Sequence, residues 1–81
     1  MTVDEIKILI EAEVQNSKAI VTGGEGKYEA TVISDSFEGM SMVKEHQLVY
    51  AAVTTQIASG ELHALAIKAF TPAEWDEKNS N

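Results

Sequence analysis

Apolar residues open the chain at helical spacing, Val3, Ile6, Ile10 and Val14, behind a Thr2 followed three residues later by Glu5, the sequence of a capping box. This predicts a first helix, which the polar run Gln15-Asn16-Ser17 stops. Two β-branched runs follow, Lys18 to Thr22 and Tyr28 to Ser34. Gly23-Gly24-Glu25-Gly26 lies between them as a hairpin connection. Ser34-Asp35-Ser36 offers caps for a short helical turn through Phe37 and Glu38, closed by Gly39. From Ser41 the spacing of Val43, His46, Tyr50, Val53 and Ile57, widened by Met42 and Val49, predicts one long helix ended by Ser59-Gly60. The stretch Glu61 to Trp75 then joins a third strand to a helix start at Thr71-Pro72-Ala73-Glu74, which combines a capping hydroxyl, a proline at the first helical position and a glutamate to return the capping bond. The polar tail Asp76 to Asn81 is expected to fray.

The order helix, strand, strand, short helix, long helix, strand, helix implies an α+β fold in which helices cover one face of a three-stranded mixed sheet. The first two strands pair as a hairpin, and the third, arriving after two helices, runs parallel to one of them. Alternation along the third strand puts His63, Leu65, Ile67 and Ala69 on one side and Leu62, Ala64, Ala66, Lys68 and Phe70 on the other. The helix-covered side takes the first set, because an unpaired buried lysine is costly. Leu62, Ala64, Ala66 and Phe70 are then expected on the open side as a surface for a partner or a dimer.

At 81 residues the chain has room for one core, so 1–81 is read as one domain. Thirteen acidic residues against six basic ones give a net charge of −7, which opposes nonspecific binding to phosphate backbones. With no cysteine, disulfides, thiolate metal sites and cysteine nucleophiles are excluded. No stretch approaches the roughly 20 apolar residues of a membrane span and no basic-then-apolar leader opens the chain, so a soluble cytoplasmic protein is expected. The glycines at 23, 24 and 26 lack the lysine and hydroxyl ending of a phosphate loop. Neither a serine elbow nor a paired-histidine metal helix organises the polar residues, and no enzymatic activity is expected. A closed zinc site wants about four ligands, and the chain supplies two histidines. His46, inside the helical stripe, is read as a packed structural histidine, and Met40 and Met42 as gap-filling residues. His63, at the mouth of the third strand, is the candidate to offer one ring nitrogen to a ligand while a neighbour fixes the other. A metal shared with a second protein needs only one such imidazole from this side.

Phe37 to Tyr50, FEGMSMVKEHQLVY, followed by Leu62 to Lys68, LHALAIK, and by Thr71-Pro72-Ala73-Glu74-Trp75, resembles the BolA family over nearly the whole chain, and most of all its IbaG branch. The resemblance implies a class II KH-like fold and, as partner, a monothiol glutaredoxin. It implies a two-iron two-sulfur cluster shared with that partner and glutathione, with His63 as the ligand from this chain and no cofactor when the chain is alone. Many members add a histidine or cysteine from the loop between the first two strands. Here residues 23–28 hold neither, and Lys27 occupies that position. A protonated lysine cannot ligate, which favours a labile cluster or association without one. The same family resemblance offers an alternative, a nucleic-acid-binding regulator of the stress response using Gly39, Ser41, Lys44 and Lys68. The turn Gly39-Met40-Ser41-Met42 lacks the second glycine of the KH backbone clamp, so DNA is the disfavoured partner. A metal-free homodimer is the third reading, and no membrane partner is implied.

Overall fold

In the computed structural model, which describes residues 1–80, Thr2 caps helix α1 (Val3–Glu13) with the reciprocal bonds of a complete capping box. The helix turns Ile6 and Ile10 wholly inward. Asn16, one of the residues that tolerate the left-handed region, takes φ 53° and reverses the chain into β1 (Ser17–Gly24). β1 and β2 (Lys27–Ser34) pair antiparallel from Ser17 with Ser34 to Gly24 with Lys27. The connection is therefore only Glu25-Gly26, both at positive φ, the backbone that a two-residue hairpin turn demands. Gly23 and Gly24, expected in the loop, belong to the strand.

Ser34 caps a short 3₁₀ turn (Asp35–Phe37) as expected, its hydroxyl accepting from the Ser36 N–H. The long helix is corrected to two: α2 (Met42–Ala51) and α3 (Thr54–Ser59), with Ala52-Val53 between them. The run Val53-Thr54-Thr55 is β-branched and weakly helical, and the Thr54 hydroxyl donates back to the Tyr50 and Ala51 carbonyls. The buried stripe is corrected with it. Val49 and Val53 are sealed, with Leu48 and Ala52 packed beside them, whereas Val43 is 65% exposed and Ile57 43%.

β3 (Ala64–Phe70) lies parallel to β2, Lys27 opposite Ala64 and Ile33 opposite Phe70, so the sheet order is β1-β2-β3 with β2 central. The α+β class and the three-stranded mixed sheet are as expected. Leu65, Ile67 and Ala69 do face the core with Tyr28, Ala30 and Val32 of β2, beneath α1 and α2. Two expectations fail at the strand's entry. β3 begins at Ala64, so alternation does not reach back: Leu62 is buried at 2% exposure and His63 is exposed. The open face is not a broad apolar patch either. Leu62 is absent from it, Phe70 is half-buried against Trp75 of α4 (Pro72–Asn79) at 5.5 Å between ring centroids, and Ala64 and Ala66 are left exposed. Helical backbone continues four residues past Trp75, into the segment expected to fray; Asn81 lies outside the described residues.

One polar clasp ties α1 to the sheet. The Glu11 carboxylate accepts from the Lys7 ammonium and from the Ala19 N–H at 2.9 Å, and both bonds hold its pKa below the ordinary glutamate value. A carboxyl depressed in the fold stabilises it above the unfolded-state pKa, and that contribution disappears as pH falls through the folded value. Glu11→Gln is therefore expected to lower stability at neutral pH and to flatten the acid limb below the ordinary glutamate pKa. Urea midpoints measured from neutral to acidic pH check this.

Candidate functional site

His63 is held from both sides in sequence. Before it, Gly60 ends α3 at φ 83°, the Leu62 N–H reaches back to the Gln56 carbonyl at 3.1 Å, and the Leu62 side chain is sunk in the core. The His63 and Ala64 N–H groups both donate to the Gly26 carbonyl, at 2.7 and 3.0 Å. That carbonyl points at β3 because Gly26 adopts φ 82°, a conformation glycine takes without penalty.

The imidazole sits on the bare Cα of Gly26. A Cβ there would lie 3.0 Å from the ring's Cγ and 3.1 Å from Nδ1. The ring is exposed, and among the described residues no hydrogen bond reaches either nitrogen. The expectation that a neighbour fixes one nitrogen is thus corrected: packing on Gly26 and the backbone anchor orient the ring. Nδ1 is nearer the glycine and Nε2 is the freer nitrogen. The seat was missed in the sequence, where Gly26 reads only as a hairpin residue.

An exposed neutral imidazole has one ring-nitrogen lone pair to give and can bind a metal as a single ligand. Among the described residues no group of three or more histidines, cysteines or carboxylates could hold a metal ion. Lys27, the first residue of β2, is exposed beside this seat, and its ammonium has no lone pair to give.

The BolA-like protein family model matches residues 1–74, nine-tenths of the chain. The chain belongs to the BolA family. The acid stress protein IbaG of Escherichia coli K12 is 35% identical over 72 residues, which cover 89% of this chain and 86% of that one. A protein of Acinetobacter guillouiae, described as lying in the rpoN-murA intergenic region, is 35% identical over 75 residues, 93% and 90% of the two chains. Among solved structures, that of a BolA homologue from Coxiella burnetii superposes with a TM-score of 0.84 at 35% identity, over 94% of this chain and 97% of that one. The fold is therefore the BolA fold.

On this BolA fold the residues of the nucleic-acid alternative lie on the turn before α2, on the first turn of α2 and on β3. Gly39, at φ 77°, follows the 3₁₀ turn, and the Ser41 hydroxyl caps α2 by accepting from the Lys44 N–H. Lys44 projects from the first turn of α2, while Lys68 stands on the outer face of β3, where its ammonium meets Glu29 at 3.4 Å. His46 is half-buried on α2 beside β3, as a packed residue, but no hydrogen bond to its ring occurs among the described residues. No helix among those residues is long and apolar enough to cross a membrane.

Proposed function

We propose that this BolA-family chain is a non-enzymatic cytoplasmic adaptor that binds a monothiol glutaredoxin and modulates iron-sulfur cluster trafficking or sensing, with His63 as its ligand to a shared two-iron two-sulfur cluster. The observation that carries the reading is the His63 seat: an exposed ring, oriented by Gly26, with Nε2 directed away from that glycine. The donor set fits a shared cluster and not a resident one. Imidazole suits iron, the chain has no cysteine, and the missing thiolates are what a glutaredoxin and glutathione carry. Such a cluster supplies transferable iron and sulfide and a redox couple. The chain's own part is to hold one imidazole at a fixed place and to withdraw it when the partner leaves. Since Lys27 adds no donor, a single ligand from this side makes the cluster easily released, as transfer or sensing requires. The class II KH-like label belongs to the same reading.

The test mixes the protein with a monothiol glutaredoxin, iron, sulfide and glutathione and follows absorption and circular dichroism. The native chain is expected to give a spectrum unlike that of the glutaredoxin alone, and His63→Ala to lose the difference. An exposed side chain of this kind changes stability by only about 0.5 kcal/mol, so the variant stays folded. Identical spectra for native and variant would remove His63 from the ligand set. Failure of the native chain to co-elute with the glutaredoxin would remove the adaptor reading itself.

A further inference from the structure

β3 is an edge strand, and its backbone faces can be assigned from two hydrogen bonds. The Ala64 N–H donates to Gly26, on the hairpin side, so the polar groups of Ala64 face β2. The Leu65 carbonyl accepts from the Tyr50 hydroxyl at 2.7 Å, so those of Leu65 face the free edge. Backbone direction alternates with each residue, which turns Ala66 and Lys68 toward β2 and Ile67 and Ala69 toward the free edge. Tyr50 covers the edge at Leu65. Beyond it the edge borders an open groove of about 240 Å³ between α2 and β3, lined by Met42, Glu45 and His46 on one wall and Ile67 to Phe70 on the other. Among the described residues no bond outside the sheet ladder reaches the backbone of Ile67 or Ala69.

Proteins blunt such edges with prolines, inward charges, bulges or a covering segment. Of the devices that blunt an edge, Ile67 to Ala69 holds only a charged side chain, Lys68, which stands on the outer face and is engaged by Glu29. What remains is an apolar wall, Met42 at 70% exposure included, with unmet backbone donors and acceptors along it. Lys68 meets Glu29 on the outer face, which leaves Glu45 as the groove's one carboxylate. Burial and the nearby Glu74 push the Glu45 carboxyl above its ordinary pKa, with the adjacent His46 acting the other way. A cation is the missing counterpart, and a long aliphatic side chain ending in one would lie along Met42 and Ile67 with its head at Glu45.

We propose that the free edge of β3 at Ile67 to Ala69 is a docking site for an extended segment of a partner protein, which adds a fourth strand and sets a lysine or arginine side chain against Glu45. Backbone pairing supplies the attraction and the groove selects the side chains, as in other cases of strand addition. The site is separate from the seat of His63, which precedes the strand at its other end. The net charge of −7 disfavours both a second copy of the chain and a polyanion as occupant.

The test is an amide-resolved NMR titration of the full chain with a blocked peptide that alternates valine with lysine and arginine. Resonances of Ile67 and Ala69 are expected to shift and their amide exchange to slow, and a peptide with glutamate in place of the basic residues is expected to bind about tenfold or more weakly. Ala69→Pro removes one outward N–H at a place where an edge strand tolerates proline, and is expected to abolish binding while leaving a cooperative thermal transition. Should that variant unfold, the same peptide N-methylated at alternate positions keeps the question open to answer: it must fail to bind. Equal binding of the methylated peptide, or no shift at millimolar peptide, overturns strand addition. Protection of these amides that rises with the protein's own concentration assigns the edge to a second copy instead, and tighter binding of a short oligothymidylate assigns it to nucleic acid.

Discussion

Gly23→Ala is expected to destabilise the protein by about 2–4 kcal/mol, the sum of a forced backbone and a collision. Gly23 has φ 119°, a value that side-chain-bearing residues rarely adopt, and a Cβ there would stand 2.4 Å from the Lys27 carbonyl oxygen and 2.9 Å from the Tyr28 Cα. Both contacts are with backbone, so no side chain can swing aside. The neighbouring glycine is the control. A Cβ on Gly24 meets nothing within 4 Å and its φ is not positive, so Gly24→Ala is expected to be neutral or to stabilise by up to about 1 kcal/mol through the unfolded chain. Urea midpoints at unchanged slope separate the two. The damage should also reach the candidate site. Gly23 pairs with Tyr28, whose hydroxyl donates to the Met1 carbonyl at 2.6 Å, and the same hairpin presents the Gly26 carbonyl to His63. Faster amide exchange at His63 and Ala64 is therefore expected in Gly23→Ala and not in Gly24→Ala. Equal midpoints for the two variants would mean that the hairpin shifts at no cost, and that the His63 anchor is softer than its short bond indicates.

Signals confined to a few neighbouring residues were legible in the sequence. Both capping boxes, at Thr2 and at Thr71, form as read, because each needs only a hydroxyl and a glutamate three residues apart. The hairpin and the parallel third strand followed from glycine placement and from the two helices that intervene. Features set by tertiary contact were not legible. Of the expected stripe Val49 and Val53 are buried, but Val43, Met42 and Ile57 keep helical spacing equally well and are exposed, because the position of the sheet decides how far the buried stripe extends. Leu62 and His63 continue the alternation of β3 on paper, but the left-handed Gly60 and the core's demand for Leu62 bring the chain in before the strand starts. His63 was marked by the family resemblance and by its strand-mouth position, while its seat on Gly26 depends on two segments that are 37 residues apart in sequence, from 26 to 63. The open edge of β3 had no sequence signal, since strand order cannot be read from alternation.

Phe37→Ala is expected to cost about 3–5 kcal/mol, the range for deleting a buried phenylalanine ring. Domains hold about 0.05–0.15 kcal/mol per residue, so a chain of this length has about 4–12 kcal/mol in all, and the single change removes a large share. Phe37 heads the fully buried side chains by volume, at 1% exposure, yet it belongs to a three-residue turn with little stability of its own. The turn exists to deliver the ring. Its cap, Ser34, also donates to the Gln15 carbonyl at 2.6 Å, which ties the turn to the end of α1. Ser34→Ala removes those bonds and leaves the ring, and is expected to cost about 0.5–2 kcal/mol. The two variants thus divide turn geometry from core filling. If their urea midpoints coincide, the turn is held mainly by its hydroxyl network; a much lower midpoint for Phe37→Ala makes the ring the reason that the chain between β2 and α2 has one conformation. That conformation aims the start of α2 along β3, so loss of the ring is also expected to disturb the wall of Met42, Glu45 and His46 while leaving the hairpin seat of His63 nearer to native. Amide exchange compared between Glu45 and His63 in the folded variant reads that difference directly.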